Sequence, residues 1–178
     1  MQNNYISILG YPFVGKTTVC EYLSTYHNLK HIPLGKLIRN DIKHKTIEQF
    51  ISKGKLIPSK ISIEILKNEL LKFEKSTILI DGFPRNMENL MEWKKYGDLK
   101  CVILIECNVQ LLFERLVSRK IMECRIDDSK DLFIRRLNSF DQETTPVIEF
   151  FKNKGILQIV DGNKSKFHVA ENILNILH

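Results

Sequence analysis

The strongest constraint on this chain lies near its start. Tyr5–Leu9 (YISIL) is a short apolar run that passes directly into Gly10-Tyr11-Pro12-Phe13-Val14-Gly15-Lys16-Thr17, which matches G-x-x-x-x-G-K-[ST]. Apolar residues then recur at helical spacing: Val19, Cys20, Tyr22 and Leu23. A strand, a glycine-opened loop and a helix in that order make a cradle for phosphate. The loop aims backbone N–H groups inward, the helix N-terminus adds partial positive charge, and the lysine reaches the outer phosphates. Gly10, Phe13, Val14, Gly15, Lys16, Thr17 and Thr18 are therefore candidate nucleoside triphosphate contacts. Thr17 or Thr18 can offer a hydroxyl to Mg²⁺ or to its waters. By accident the pattern arises in on the order of one chain in a hundred of this length, and the strand and helix around it favour nucleotide binding.

The rest of the chain repeats the alternation. Thr77–Ile80 (TILI), Val102–Ile105 (VILI) and Ile156–Val160 (ILQIV) read as further buried parallel strands, with His31–Ile32 as a short edge strand. Between them, Val109, Leu112, Phe113, Leu116 and Val117 fall on one helical face behind Asn108 as N-cap. Phe167, Ala170, Ile173, Leu174 and Leu177 do the same at the end. Alternating strands and helices predict an α/β fold, a parallel sheet covered on both faces, with ligands beyond the carboxyl ends of the strands. The 178 residues carry no repeat or linker, which predicts one domain over 1–178. Roughly 34–75 and 119–131 lack a strand and read as excursions from the sheet.

Charge narrows the partners less than the choice of basic residue does. The formal charge of +6 attracts anions of any kind. Of 27 basic residues, however, only Arg39, Arg85, Arg115, Arg119, Arg125, Arg135 and Arg136 are arginine. A chain that defaults to lysine keeps the guanidinium fork where bidentate phosphate contacts need it. The basic residues are not interleaved with aromatics on one platform, so a nucleic-acid module is not expected. Cys20, Cys101, Cys107 and Cys124 form no C-x-x-C pair and the five histidines no ligand spacing, which predicts reduced structural thiols and no zinc. No signal-peptide pattern opens the chain, and no apolar run approaches the ~20 residues of a membrane span. The expectation is a cytoplasmic protein without a membrane partner.

A second motif follows the strand at 77–80. In Asp81-Gly82-Phe83-Pro84-Arg85-Asn86, the carboxylate stands where it can hold magnesium's water shell beside the phosphate loop. Gly82 permits a close approach, Pro84 fixes the turn, and Arg85 aims a fork at the phosphates. Together the two motifs resemble the adenylate kinase and UMP-CMP kinase family, in order over nearly the whole chain.

The resemblance implies a P-loop NTPase three-layer fold with a five-stranded parallel sheet, a helical acceptor arm at about 34–58, a short lid at about 119–131 and a cis Phe83–Pro84 peptide. It implies transfer of the ATP γ-phosphate to a nucleoside monophosphate, with Mg²⁺, in a monomer. Arg39 looks like the acceptor-phosphate arginine, and Gly54-Lys55-Leu56-Ile57-Pro58 like the stretch framing the acceptor base. Arg119, Arg125 and Arg136 look like lid and catalytic arginines beside Lys16 and Arg85, and Arg119 and Lys164 like ATP contacts, Lys164 in the adenine loop Asp161-Gly162-Asn163-Lys164. Gly82, Phe83, Arg85, Arg125 and Arg136 fall on the acceptor side. Arg115 and Arg135 are left as surface residues, and Cys124 in the small lid as incidental.

Three features lean towards UMP or CMP as acceptor: Asn89 where AMP kinases usually carry Gln, Leu34 where they carry Thr, and the pair Ile57-Pro58. The chain also departs from the family pattern. Lys36 replaces an acid, Phe13 and Thr17 replace glycines, and the arm between Arg39 and Gly54 is shortened. Three alternatives stay open: AMP phosphorylation, a nucleotide-binding protein impaired in catalysis, and a P-loop kinase acting on another small molecule.

Overall fold

The computed structural model describes residues 3–41, 46–123 and 129–177, the side chains of 119–123 excepted. Five parallel strands form one sheet: β1 (Asn4–Leu9), β2 (Lys30–Ile32), β3 (Thr77–Asp81), β4 (Leu99–Glu106) and β5 (Leu157–Asp161), in the order β2-β3-β1-β4-β5. β1 is central. The chain first builds outward on one side of it and then, from β4, on the other, so the loops after β1 and β3 open into the same crevice at the strands' carboxyl ends.

The period-2 alternation of the strands sorts the core into two layers. Ile6 and Ile8, Leu79, and Ile103 and Ile105 point to one face, where α1 (Lys16–Tyr26), α6 (Val109–Glu123) and α9 (Lys166–Leu177) cover them. Leu9, Ile78 and Ile80, and Val102 and Leu104 point to the other. There they meet α2 (Leu34–Arg39), α4 (Ser59–Leu70), α5 (Met87–Trp93) and α8 (Thr145–Asn153). Each fully buried Ile, Leu or Val contributes about 1.5–3 kcal/mol of transfer free energy. Ser7, the polar exception in β1, is fully buried and donates its hydroxyl to Phe83 O at 2.5 Å. That bond ties β1 to the turn after β3, in which the Phe83–Pro84 peptide is cis.

Two short helical pieces, α2 and α3 (Ile47–Ile51), occupy the expected arm, and α7 (Lys130–Ser139) runs into a π-helical turn at Phe140–Thr144 before α8. Among the described residues, no helix is long and apolar enough to cross a membrane.

Several expectations need correction. The last strand is an edge strand with Gln158 and Ile159 exposed, because β5 ends the sheet and, among the described residues, pairs with β4 alone. Among the described side chains of α6, Leu112 and Leu116 are buried, whereas Val109, Phe113 and Val117 are exposed. The helix lies at the sheet's margin and needs a narrower apolar stripe than the sequence offers. Phe167 is likewise exposed, although its ring meets Tyr22 edge-on at 5.4 Å. The first part of the expected lid is helical, since α6 continues through Glu123. Cys20, Cys101 and Cys107 are free thiols, and Cys124 lies outside the described residues.

Candidate active site

The phosphate loop owes its shape to two glycines. Gly10 has φ 144°, and a Cβ there would stand 2.4 Å from Ile105 O, so any side chain would push the loop off β4. Gly15, at φ 100°, takes the left-handed step that opens α1. Phe13 also has a positive φ, 69°. A residue with a Cβ pays about 1–3 kcal/mol there, which accounts for glycine being usual at that point. The Phe13 ring packs edge-on against Phe133 of α7 at 5.5 Å, an offsetting contact that glycine lacks.

Lys16 curls back over the loop and donates to Gly10 O and Tyr11 O, both at 2.8 Å. Beside it, Thr17 Oγ1 donates to Asp81 Oδ2 at 2.6 Å, bringing the two expected oxygen donors together. Burial pushes the Asp81 pKa up, but His31, the Lys16 charge and the Thr17 hydroxyl together hold it below the usual carboxylate value. His31 Nε2 stands 3.6 Å from Asp81 Oδ2, too long for a hydrogen bond, and is buried without another partner among the described residues.

Three arginines close on this point from separate elements. The position of a Cβ on Gly35 would lie 3.4 Å from Arg85 Nη2 and 3.6 Å from Arg39 Nη1, so both guanidiniums share the space that Gly35 leaves open. Burial lowers the Arg85 pKa, Asp81 opposes that, and the nearby charge of Arg136 lowers it further. Arg85 is also tightly placed. Its Nε donates to Gly82 O at 2.8 Å, its backbone N–H to Asn89 Oδ1 at 3.2 Å, and its carbonyl accepts from the buried Thr144 hydroxyl at 2.7 Å.

These groups line one cleft of about 1810 Å³. Its walls include Gly10, Phe13, Val14, Gly15, Lys16, Thr17, Thr18, Leu34, Arg39, Leu56, Ile57, Asp81, Gly82, Arg85, Asn89, Arg136 and Lys164, all expected from sequence. Phe83 and Pro58 are not in the lining. Phe83 is fully buried against Trp93, and Pro58 is exposed just before α4. Arg119 lies in α6 with its side chain outside the described residues, and Arg125 lies outside them entirely.

A family model described as adenylate kinase matches residues 8–156. The chain belongs to the adenylate kinase family. It is similar to human UMP-CMP kinase, 31% identical over 186 aligned positions that span 96% of this chain and 95% of that protein. The zebrafish (Danio rerio) UMP-CMP kinase is 30% identical, spanning 99% and 98%. The adenylate kinase of Clostridium tetani is 32% identical, spanning 97% of both.

Within this adenylate kinase family member, one arginine expected at the surface belongs to the cleft. Arg115 is half-buried: Nη1 donates to Val14 O at 2.6 Å and Nη2 to Gly162 O at 3.0 Å. One guanidinium thus clamps the phosphate loop to the loop after β5. The signal was present, because Arg115 stands three residues after Leu112 and one before Leu116, on the inward face of α6. Arg135 is exposed as expected, with its Cβ group against Gly54. Tyr11 was also passed over. Its hydroxyl donates to Asp141 in the π-helical turn, and its ring lies 4.3 Å from that of Phe140. No sequence signal links residues so far apart in the chain.

Proposed function

We propose that this chain moves the terminal phosphoryl group of ATP to a nucleoside monophosphate, and that UMP and CMP are its acceptors. The observation that carries this reading is the convergence of Arg39, Arg85 and Arg136 on the mouth of a phosphate loop already holding Lys16 and Asp81. A binding protein for one nucleotide needs the loop and its lysine. A second set of cations, reaching in from the arm and from α7, suits a second phosphate.

The acceptor is already an anion, so catalysis needs position and charge neutralisation and no strong base. Arg39 and Arg85 grip the acceptor phosphate. Lys16 exchanges its loop carbonyls for the phosphoryl group in transit, and Arg136, with Arg119 and Arg125, neutralises charge as the cleft closes and excludes water. A hydroxyl and a carboxylate side by side suit a hard cation that keeps its waters, so Thr17 and Asp81 would hold magnesium. Among the described residues no cluster of three His, Cys, Asp or Glu side chains forms a metal cage. Mg²⁺ would supply charge neutralisation between the ATP phosphates.

The pyrimidine preference is supported by Asn89, Leu34 and Ile57 in the cleft wall and by the relatives named UMP-CMP kinase. AMP is the second reading, favoured by the equally similar relative named adenylate kinase. A coupled ATP-consumption assay over UMP, CMP, AMP and their deoxy forms tests both. Turnover with UMP or CMP above AMP is expected. ATP binding without transfer to any monophosphate would end the kinase reading.

A further inference from the structure

Tyr11 and Phe13, on either side of Pro12 in the phosphate loop, both reach across to α7 and its π-helical continuation. The Phe13 ring meets Phe133 edge-on at 5.5 Å, and Phe133 is itself buried in the core. The Tyr11 ring lies 4.3 Å from that of Phe140, and its hydroxyl donates to the adjacent Asp141. Phe133, Arg136 and Phe140 stand at i, i+3 and i+7, on one face of the helix. The two aromatic contacts therefore straddle Arg136, one about a turn before it and one about a turn after. Arg136 lines the cleft, and its charge is near enough to lower the Arg85 pKa. Tyr11 and Asp141 are not in the cleft lining, although the Tyr11 carbonyl accepts from Lys16. Phe13 keeps a φ of 69° that glycine would hold without strain. A strained residue persists where its surroundings over-determine it, and here its ring is seated on α7.

We propose that Tyr11 and Phe13 staple the phosphate loop to α7 and thereby hold Arg136 over the transferring phosphoryl group. The inference rests on the monophosphate kinase reading and adds Tyr11, Phe13 and Asp141 to it as positioning residues. An arginine on a separate helix is useful in the transition state only if that helix keeps its distance from the loop. Contacts a turn to either side of Arg136 fix the helix there, so the charge is in place before the reaction and need not be gathered during it. Thr144, farther along the same stretch, holds the Arg85 carbonyl at 2.7 Å. One continuous segment thus sets both cations against the loop that carries Lys16.

The test measures kcat and both KM values for Tyr11→Phe, Tyr11→Leu and Phe13→Gly, each made in the wild type and in Arg136→Ala. Terminally labelled ATP keeps slow turnover countable. Tyr11→Phe removes only the hydroxyl and leaves the ring on Phe140, so it probes the Asp141 bond with the fold undisturbed. In the wild type, Tyr11→Leu is expected to lower kcat at least ~10-fold, within the ~10²-fold that a misplacement of roughly 1 Å can cost. Tyr11→Phe is expected to lower it less, and Phe13→Gly to lower it although the backbone is relieved. Both KM values are expected to stay within ~2-fold in the Tyr11 variants, the split that marks an interaction made only in the transition state. In Arg136→Ala the same changes are expected to cost less than ~2-fold, because residues acting through Arg136 have nothing left to position. Equal falls in both backgrounds, or wild-type kcat in Tyr11→Leu and Phe13→Gly, overturn the staple and leave the kinase reading standing. Absence of transfer to any monophosphate by the wild type overturns the kinase reading and the staple with it.

Discussion

At the residue scale, the site is organised by groups whose chemistry admits one role each. Lys16 can only donate, and in the described state it donates to its own loop. Replacing it with methionine keeps the aliphatic length and removes the charge. Lys16→Met is expected to fold normally and to lower turnover by at least ~10²-fold, the size of losing one preorganised charge contact. Circular dichroism and steady-state kinetics check the two halves, and near-normal turnover would refute the role.

Tyr11 offers a different handle. The bond to Asp141, then burial and the charges of Asp141 and Glu106, raise its pKa from 10.0 to about 12. The neutral phenol is the bonded form. Its stabilising contribution is therefore complete below pH 10 and is lost as pH rises through about 12. Phenolate absorbance is expected to show one tyrosine titrating near 12, and Asp141→Asn is expected to return it towards 10. An unchanged titration curve in that variant would remove the bond from the account.

At the scale of elements, the cleft depends on pieces that are separate in sequence being held in register. Arg115 does this for two loops at once, joining the carbonyl of Val14 after β1 to that of Gly162 after β5. Hydrogen bonds to a charged donor contribute roughly 1.5–3 kcal/mol each. Arg115→Ala is expected to raise KM for ATP ~10-fold or more and leave the acceptor KM unaltered. Arg115→Lys should recover little, because an ammonium cannot span both carbonyls as the planar fork does. Equal changes in both KM values would place the residue's effect elsewhere. The π-helical turn plays a matching part for the turn after β3, where its buried Thr144 fixes the Arg85 carbonyl.

At the scale of the whole molecule, cations are concentrated where the sheet's crevice opens. Lys16, Lys36, Arg39, Lys55, Arg85, Arg115, Arg136, Lys164 and Lys166 line the cleft, against the acids Glu21, Asp41, Glu48 and Asp81. Gathering like charge opposes the compact state, and an anionic ligand relieves that opposition. ATP at 100 times its Kd is expected to add about 2.7 kcal/mol, or roughly 5–10 °C in Tm for a chain of this size. Thermal unfolding with and without ATP measures it, and no shift at saturating ATP would count against a nucleotide site in this cleft.

The sequence by itself determined the parts in which neighbouring residues act on one another. The apolar runs defined the strands, the glycine spacing defined the phosphate loop, and Asp81-Gly82-Phe83-Pro84-Arg85 defined the second wall, since propensity, periodicity and turn chemistry are local properties. Tertiary structure alone decided what depends on distance through space. The exposure of β5 follows from its place at the sheet's edge, and the inward turn of Arg115 from how α6 lies on the sheet. The hydrogen bonds from Asn89 to Ser59 and Ser62 follow from α4 packing on α5. In each case the deciding partner is tens of residues away along the chain, and its effect exists only once the backbone has closed the gap.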